Sequence, residues 1–567
     1  MGAVLFWGVL VPPRPVWVAL LWPALAAAQN VPLLDILKQE LDRNFAVLKD
    51  KGEPPAYYLA YSVVEDETQY VTASFGALQG SSGNRSRNLD VTLRLGSPQF
   101  DNYHRMRGDY PQFTSGAALP LEDNANAIRR RAWLETDRVY RSASQRMIRL
   151  RTNTQVKAAE EDSSDDFSPA EASTYVEPPI ALTLNRDEWG NKLRRWSAEF
   201  QKHRGILACN VALVVSRETK YLVNSEGTRL RHGRSFARLL ITASGKAFDG
   251  MDLSATDSFE AETADRLPKD EQIQAAVVKV AARLTEMLKA PPVEPFVGPA
   301  ILSGSSAGVF FHEIFGHRIE GHRQKDEAEG QTFTKRVGQS VLPEFLSVVF
   351  DPTRKAAAGI DLNGTYVYDD EGVKAGPVRL VDNGILKTFL LSRSPIKGFP
   401  QSNGHGRRQA GAEVVSRQSN LIVESGQAVD SAKLREMLIA EVKRQGKPYG
   451  LYFEKVTGGF TTTGRQGLQA FTVIPLVVYR VYPDGRPDEL VRGVSIVGTP
   501  LASFAKILAT SDRPEVFNGI CGAESGNIPV SAVSPALLVS EMEIQRKPAG
   551  VDAPPTLSRP TSTGGGQ

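Results

Sequence analysis

The sequence predicts an α+β fold of two mixed α/β domains, the C-terminal one strand-rich. Three observations carry this expectation. Stretches with apolar residues three and four apart alternate with short apolar runs of strand character. A proline cluster, Pro291, Pro292 and Pro295, divides the chain near its middle. The 567 residues, 41% hydrophobic and 23% charged, are enough for two buried cores and exclude a wholly disordered or disulfide-stapled chain.

The elements follow in order. Residues 1–28 join two short apolar runs around Arg14, are broken by Pro12, Pro13, Pro15 and Pro23, and end in Ala26-Ala27-Ala28. This pattern reads as a signal peptide, so the chain is expected to be exported, periplasmic or extracellular. Neither run reaches the roughly 20 residues that span a bilayer, and no later segment does, so no membrane span is expected after signal removal.

An N-terminal α+β domain is expected over 29–290. Leu34, Ile36, Leu37, Leu41, Phe45 and Leu48 mark a helix over 31–51, stopped by Gly52 and Pro54-Pro55. Residues 57–64, 70–75 and 89–95 read as a meander with Gly80 to Gly83 as a turn. A long helix is expected over 125–157, then a strand and helix over 181–204. A hairpin over 205–223, strands over 234–242 and near Phe259, and a helix over 270–290 follow. In the second domain, 291–546, strands are expected over 364–368, 378–381, 385–391 and 471–482. The tail, 547–567, is rich in Pro, Thr, Ser and Gly and is expected to be disordered.

Charge excludes one class of partner. Lys plus Arg number 67 against 64 acids, a net +3, which is far from a nucleic-acid-coating protein. Eight arginines crowd 129–151, but Glu160, Glu161, Asp162, Asp165 and Asp166 follow at once, so this reads as a solvated helix face and an acidic loop.

Chemistry concentrates at 304–323. Of seven histidines, His312, His317 and His322 fall within eleven residues at a five-residue step. Imidazole is a common zinc ligand, and Glu313 beside the first histidine suits a general base. The spacing differs from H-E-x-x-H: on a regular α-helix, at about 100° per residue, an i,i+5 pair lies about 140° apart. Either a π-type widening brings the rings together or the helix breaks at Gly316. A local distortion is favoured because Gly316 lies inside the motif. For a third ligand, His322 and Cys521 are even on spacing. Cys209, in an apolar run, reads as a core residue, and a Cys209–Cys521 disulfide as the lesser option.

Taken together, the run His312 to His317 with Glu320-Gly321, Asp369-Asp370-Glu371-Gly372, Gly458-Gly459, Arg492-Gly493 leading to Gly498-Thr499-Pro500, and Cys521-Gly522 with Pro529-Val530 resembles the TldD/PmbA family of metallopeptidases, in its catalytic TldD-like branch. The resemblance implies that His312, His317 and Cys521 ligate Zn2+ and that Glu313 acts as base. It implies hydrolysis of peptide bonds in unfolded or extended polypeptides, in a homodimer or a heterodimer with a related inactive subunit. The metal-site helix then belongs to the strand-rich C-terminal domain. His322, His405 and Arg407 are further candidates, as substrate contacts or supports of the ligands. The rival reading is a non-catalytic peptide-binding module whose metal is structural.

Overall fold

A computed structural model of the chain describes residues 32–105, 115–154, 162–326, 328–465, 471–498, 503–547 and a few beyond. The expected signal peptide 1–28, Glu160, Glu161, Thr499, Pro500 and most of the tail lie outside the described residues.

In the N-terminal half, the helical stripes become α1 (Pro32–Lys51) and α2 (Ala125–Thr154). Leu34, Leu37 and Leu41 of one bury against Ile128, Ala132, Val139 and Leu150 of the other and against the sheet. Strand β1 (Ala56–Ser74) is one long strand where two were expected, paired with β2 (Ala77–Ser97). The polar stretch at its middle stays in the ladder because Glu65 pairs with Arg85 and Arg87 on one neighbouring strand and Arg217 on the other. The reversal falls at Phe75-Gly76, both with positive φ, whereas Gly80 and Gly83 pair inside the ladder.

The sheet continues through β3 (Ala208–Asn224), β4 (Arg229–Lys246) and β5 (Asp252–Ala261), in the order β2-β1-β3-β4-β5, all antiparallel. Val71, Leu213, Leu239 and Phe259 stand opposite one another across four strands. This row is covered by α3 (Arg186–Ser197) and α4 (Asp270–Lys289), whose Leu193, Trp196, Ile273, Val277, Val280 and Leu284 complete that core. Tyr58 and Ala60, on the other face of β1, meet Phe167 and Tyr368, joining the sheet to the C-terminal half.

Past the prolines, β6 (Phe296–Leu302) leads directly into helix α5 (Gly304–Ile314). Further strands are β7 (Leu346–Phe350), β8 (Val378–Asp382), β9 (Asn420–Ser425), β10 (Gly450–Thr461), β11 (Phe471–Val481), β12 (Val494–Gly498), β13 (Ile507–Ala523) and β14 (Gly526–Arg546). Strands β14, β12, β11, β10 and β6 pair in a closed ring, β6 returning to β14. Helix α5 packs tightly on it: a Cβ at Gly308 would lie 3.0 Å from that of Ala532, and one at Gly304 would lie 2.4 Å from the Ser534 carbonyl oxygen. Phe310, Phe311 and Phe315 fill the space beneath with Phe471 and Phe504. The strand-rich C-terminal half, the helices and the mixed sheets make this an α+β protein, as expected.

Two expectations differ. Residues 364–368 form no strand beyond a single bridge at Tyr368, because Gly364 is pressed against Ser419 and Asn420, where a Cβ would lie 2.5 Å from Asn420 Oδ1. Of 385–391 only Ile385–Leu386 is strand. The longest hairpin of this half, β13 with β14, was not anticipated, since its glycines and prolines read as turns. No helix among the described residues is long and apolar enough to cross a membrane.

Candidate metal centre

Helix α5 starts at Ser303, whose Oγ accepts from the Ser306 N–H, and ends at Ile314. A 3-10 turn over Gly316–Arg318 follows. The helix therefore breaks at Gly316, one of the two distortions the five-residue spacing demanded, and His317 turns back towards His312. Their ring centroids are 5.0 Å apart and nearly perpendicular, at 83°. The break has a packing cause. A Cβ at Gly316 would lie 2.0 Å from Gln418 Oε1, and Gln418 Nε2 donates to the His312 carbonyl at 3.4 Å. Gly316→Ala is accordingly expected to displace Gln418 and cost about 1–3 kcal/mol, read as a lower urea midpoint.

Cys521 arrives from β13, where it stands opposite Ile528 on β14, three residues before the reversal at Glu524-Ser525. It is in a strand, although Gly519, Gly522 and Gly526 surround it. Its Sγ lies 3.4 Å from His317 Nε2, and donor atoms of His312, His317 and Cys521 all fall within 4.8 Å of one another. Zinc–nitrogen and zinc–sulfur bonds near 2.1 and 2.3 Å at a tetrahedral angle imply a separation of roughly 3.5 Å, so this donor set fits the ion. Between the two open candidates for third ligand, the structure brings Cys521 to the histidines. His322 instead bonds Glu524 through Nε2.

The electrostatics suit a cation. Burial alone would raise the Cys521 thiol, but the imidazoles of His317 and His312 outweigh it and hold the thiol well below its usual range. Burial disfavours charge on His317 as well, yet Cys521 and Glu320 together raise it. Both shifts favour a thiolate beside an imidazolium in the metal-free chain, and a metal bound there would displace the proton. Glu320 is fully buried; against its burial penalty, His317 and Arg323 pull it down to about 2. Glu313 is different: burial pushes its carboxyl up, against the pull of His312 and His317. Gly459 makes its room, since a Cβ there would lie 2.7 Å from Glu313 Cγ.

His312 and Glu313 sit where two hollows meet. The smaller, about 210 Å³, holds His317, Arg323, Phe460 and Cys521; the larger, about 690 Å³, is a cleft between β5 and the C-terminal strands β10 and β13. His405 and Arg407 line neither hollow. Both are buried and brace the segment that touches the centre: the His405 carbonyl accepts from Arg417 N at 2.9 Å, and Arg407 Nη1 donates to Gln418 O at 2.5 Å. Sequence reasoning missed Arg417, Gln418 and Arg323. Arg323 stands inside the motif and was open to notice; Arg417 and Gln418 are about a hundred residues away and carry no local signal. Asp369, Asp370 and Glu371 form no open cation site: Asp369 accepts from the N–H groups of Glu371, Val373 and Gly406, and Asp370 pairs with Lys220.

Comparison with known proteins finds relatives over much of the chain. Residues 297–546 match the PmbA/TldA metallopeptidase C-terminal domain. A metalloprotease of Methanothermobacter thermautotrophicus is 25% identical over 338 residues, 58% of this chain and 68% of that protein. A zinc metalloprotease TldD homolog of Saccharolobus solfataricus is 26% identical over 275 residues, 48% of this chain and 57% of that protein. The matched stretches thus span little more than half to two thirds of these relatives. In fold, TldE from Thermococcus kodakarensis superposes with a TM-score of 0.62 over 91% of this chain and all of that one, at 13% identity.

These relatives also correct one expectation. The signal-peptide and periplasm assignments are withdrawn, because the archaeal relatives are named as metalloproteases without any mark of export. An apolar, proline-broken terminus is weak evidence by itself, since the same composition serves other ends. The histidine pair on a broken helix, the strand-borne cysteine and the matched C-terminal domain lead to one conclusion: residues 297–546 form a PmbA/TldA metallopeptidase C-terminal domain, and the chain is similar to the TldD/PmbA family.

Proposed function

We propose that this chain is a zinc-dependent peptidase that hydrolyses peptide bonds in unfolded or extended polypeptides. The observation that carries the reading is the convergence of His312, His317 and Cys521 donors within 4.8 Å, with the Glu313 carboxyl beside them at a cleft. Zinc held by these three would polarise a scissile carbonyl and make a water acidic. Glu313 would act as the base, accepting a proton from the attacking water and delivering it to the leaving amine, and the burial that raises its carboxyl suits it to hold that proton in between. Strands β5 and β13 at the cleft offer edges along which an extended chain lies down. The chain acts as a homodimer or beside a related inactive subunit.

The alternative, a peptide-binding module with a structural metal, calls for a closed four-ligand site. Three donors and a His322 engaged by Glu524 favour the open, catalytic arrangement. Metal analysis of the purified chain is expected to find about one zinc, and cleavage of an unstructured peptide is expected to stop with a chelator and return with zinc. Turnover that survives complete metal removal overturns the reading.

The cleft also sets a preference. Beside Glu313 its wall is made of Leu240, Val309, Val456, Leu476, Phe517 and Ile520, the last 57% exposed. Of its acids, Asp257 and Glu260 are paired with Lys455 and Arg238, and Glu515 accepts from the Ser305 N–H. Peptides with Leu, Phe or Met next to the cleaved bond are expected to exceed Asp- or Glu-bearing ones by roughly 10-fold or more in kcat/KM, the scale of a filled apolar subsite. Leu476→Glu is expected to erase that ratio in a peptide-mixture assay.

A further inference from the structure

Arg417 occupies an unusual position. It is fully buried, at 0% exposure, on a segment about a hundred residues from both the helix and the hairpin that carry the donors. An arginine side chain is almost never buried without compensation, so its partners report what it is for. Nη2 donates to the Cys521 carbonyl at 2.8 Å and to the Cys521 sulfur at 3.3 Å. Nη1 donates to Ser525 Oγ at 2.6 Å and to the Gly526 carbonyl at 3.1 Å, across the reversal that follows Cys521. Nε forms an ion pair with Glu320 Oε1 at 3.4 Å, and neither atom has a hydrogen-bond partner among the described residues. The second oxygen of Glu320 receives Arg323 Nε at 2.9 Å and lies 3.4 Å from His317 Nδ1.

One guanidinium thus links the thiolate donor on β13 to the carboxylate that orients the imidazole donor after α5. We infer that Arg417 is a positioning residue for the metal centre: with Glu320 it clamps Cys521 and His317 in register and donates a hydrogen bond to the thiolate. The inference rests on the zinc-site reading above. Its physical basis is general. A ligating imidazole is aimed by the acceptor on its other nitrogen, and loss of such an outer partner costs about 10- to 100-fold in metal affinity. A planar fork with five donors suits the task, because one group reaches the sulfur, the neighbouring backbone and the carboxylate at once. Lysine has the charge without the fork.

The test is cobalt(II) titration of the metal-free full chain, read in the sulfur-to-cobalt charge-transfer band and by competition with a chelator. Arg417→Met is expected to bind cobalt(II) about 10- to 100-fold more weakly than wild type. Its band is expected to shift to lower energy, because a thiolate that has lost an N–H donor gives up electrons more readily. Arg417→Lys is expected to fall between the two. If Arg417→Met does not fold, Arg417→Lys and Glu320→Gln are read in its place, each with at least severalfold weaker binding expected. A merely structural role would lower the melting temperature of the metal-free chain and leave the band where it is. Wild-type affinity within twofold and an unmoved band in the folded variants overturn the clamp while the zinc site stands; a wild-type chain with no thiolate band overturns both.

Discussion

Cys521→Ser purified and washed beside wild type is expected to lose its metal, falling from about one zinc per chain to a small fraction. Serine has nearly the same size and leaves the backbone pairing with Ile528 intact, so the change isolates the donor atom. A hydroxyl stays neutral at ordinary pH, whereas the thiol in this site is held well below its usual range by His317 and His312. The loss in affinity is expected to exceed the roughly 10- to 100-fold that removal of an outer partner costs. His322→Ala under identical washing is expected to keep its zinc, because His322 is engaged by Glu524 and stands outside the donor group. The reverse pattern, metal retained without the sulfur and lost without His322, would move the third ligand and undo the site as drawn.

Glu313→Gln is expected to keep the zinc and lose about 10²- to 10⁴-fold in kcat, with little change in KM. The amide matches the carboxyl in shape and fits the space that Gly459 leaves, so the cleft and donor geometry stay as they are. What disappears is the capacity to accept and return a proton beside the scissile bond. A variant with wild-type turnover would remove Glu313 from the chemistry and leave Arg323 and the centre itself to be examined. Parallel loss of metal would show instead that the carboxyl holds the site together, which its absence from the donor group argues against.

Legibility in the sequence differs by element. Helix α4 was plain because Ile273, Val277, Val280 and Leu284 repeat at helical spacing and all face one core. Strand β1 was split because Glu65 and its neighbours read as a break; arginines from two other strands keep them in the ladder, and no local pattern announces such partners. The β13–β14 hairpin was hidden by Gly519, Gly522 and Pro529, which punctuate most loops yet here pair in register across it.

The sequence by itself determined the candidate groups: two histidines five apart with a glutamate between them, a glycine where a helix must break, and a cysteine near the far end. It offered these because donor and acceptor groups are local properties of side chains. Only the tertiary structure set Cys521, and not His322, beside the two histidines, buried His405 and Arg407 away from the cleft, and brought Arg417 to the sulfur. Those choices depend on which strand edges close a ring and which side chain fills the space beside Gly316. They are set by packing between segments a hundred or more residues apart, which no local pattern encodes.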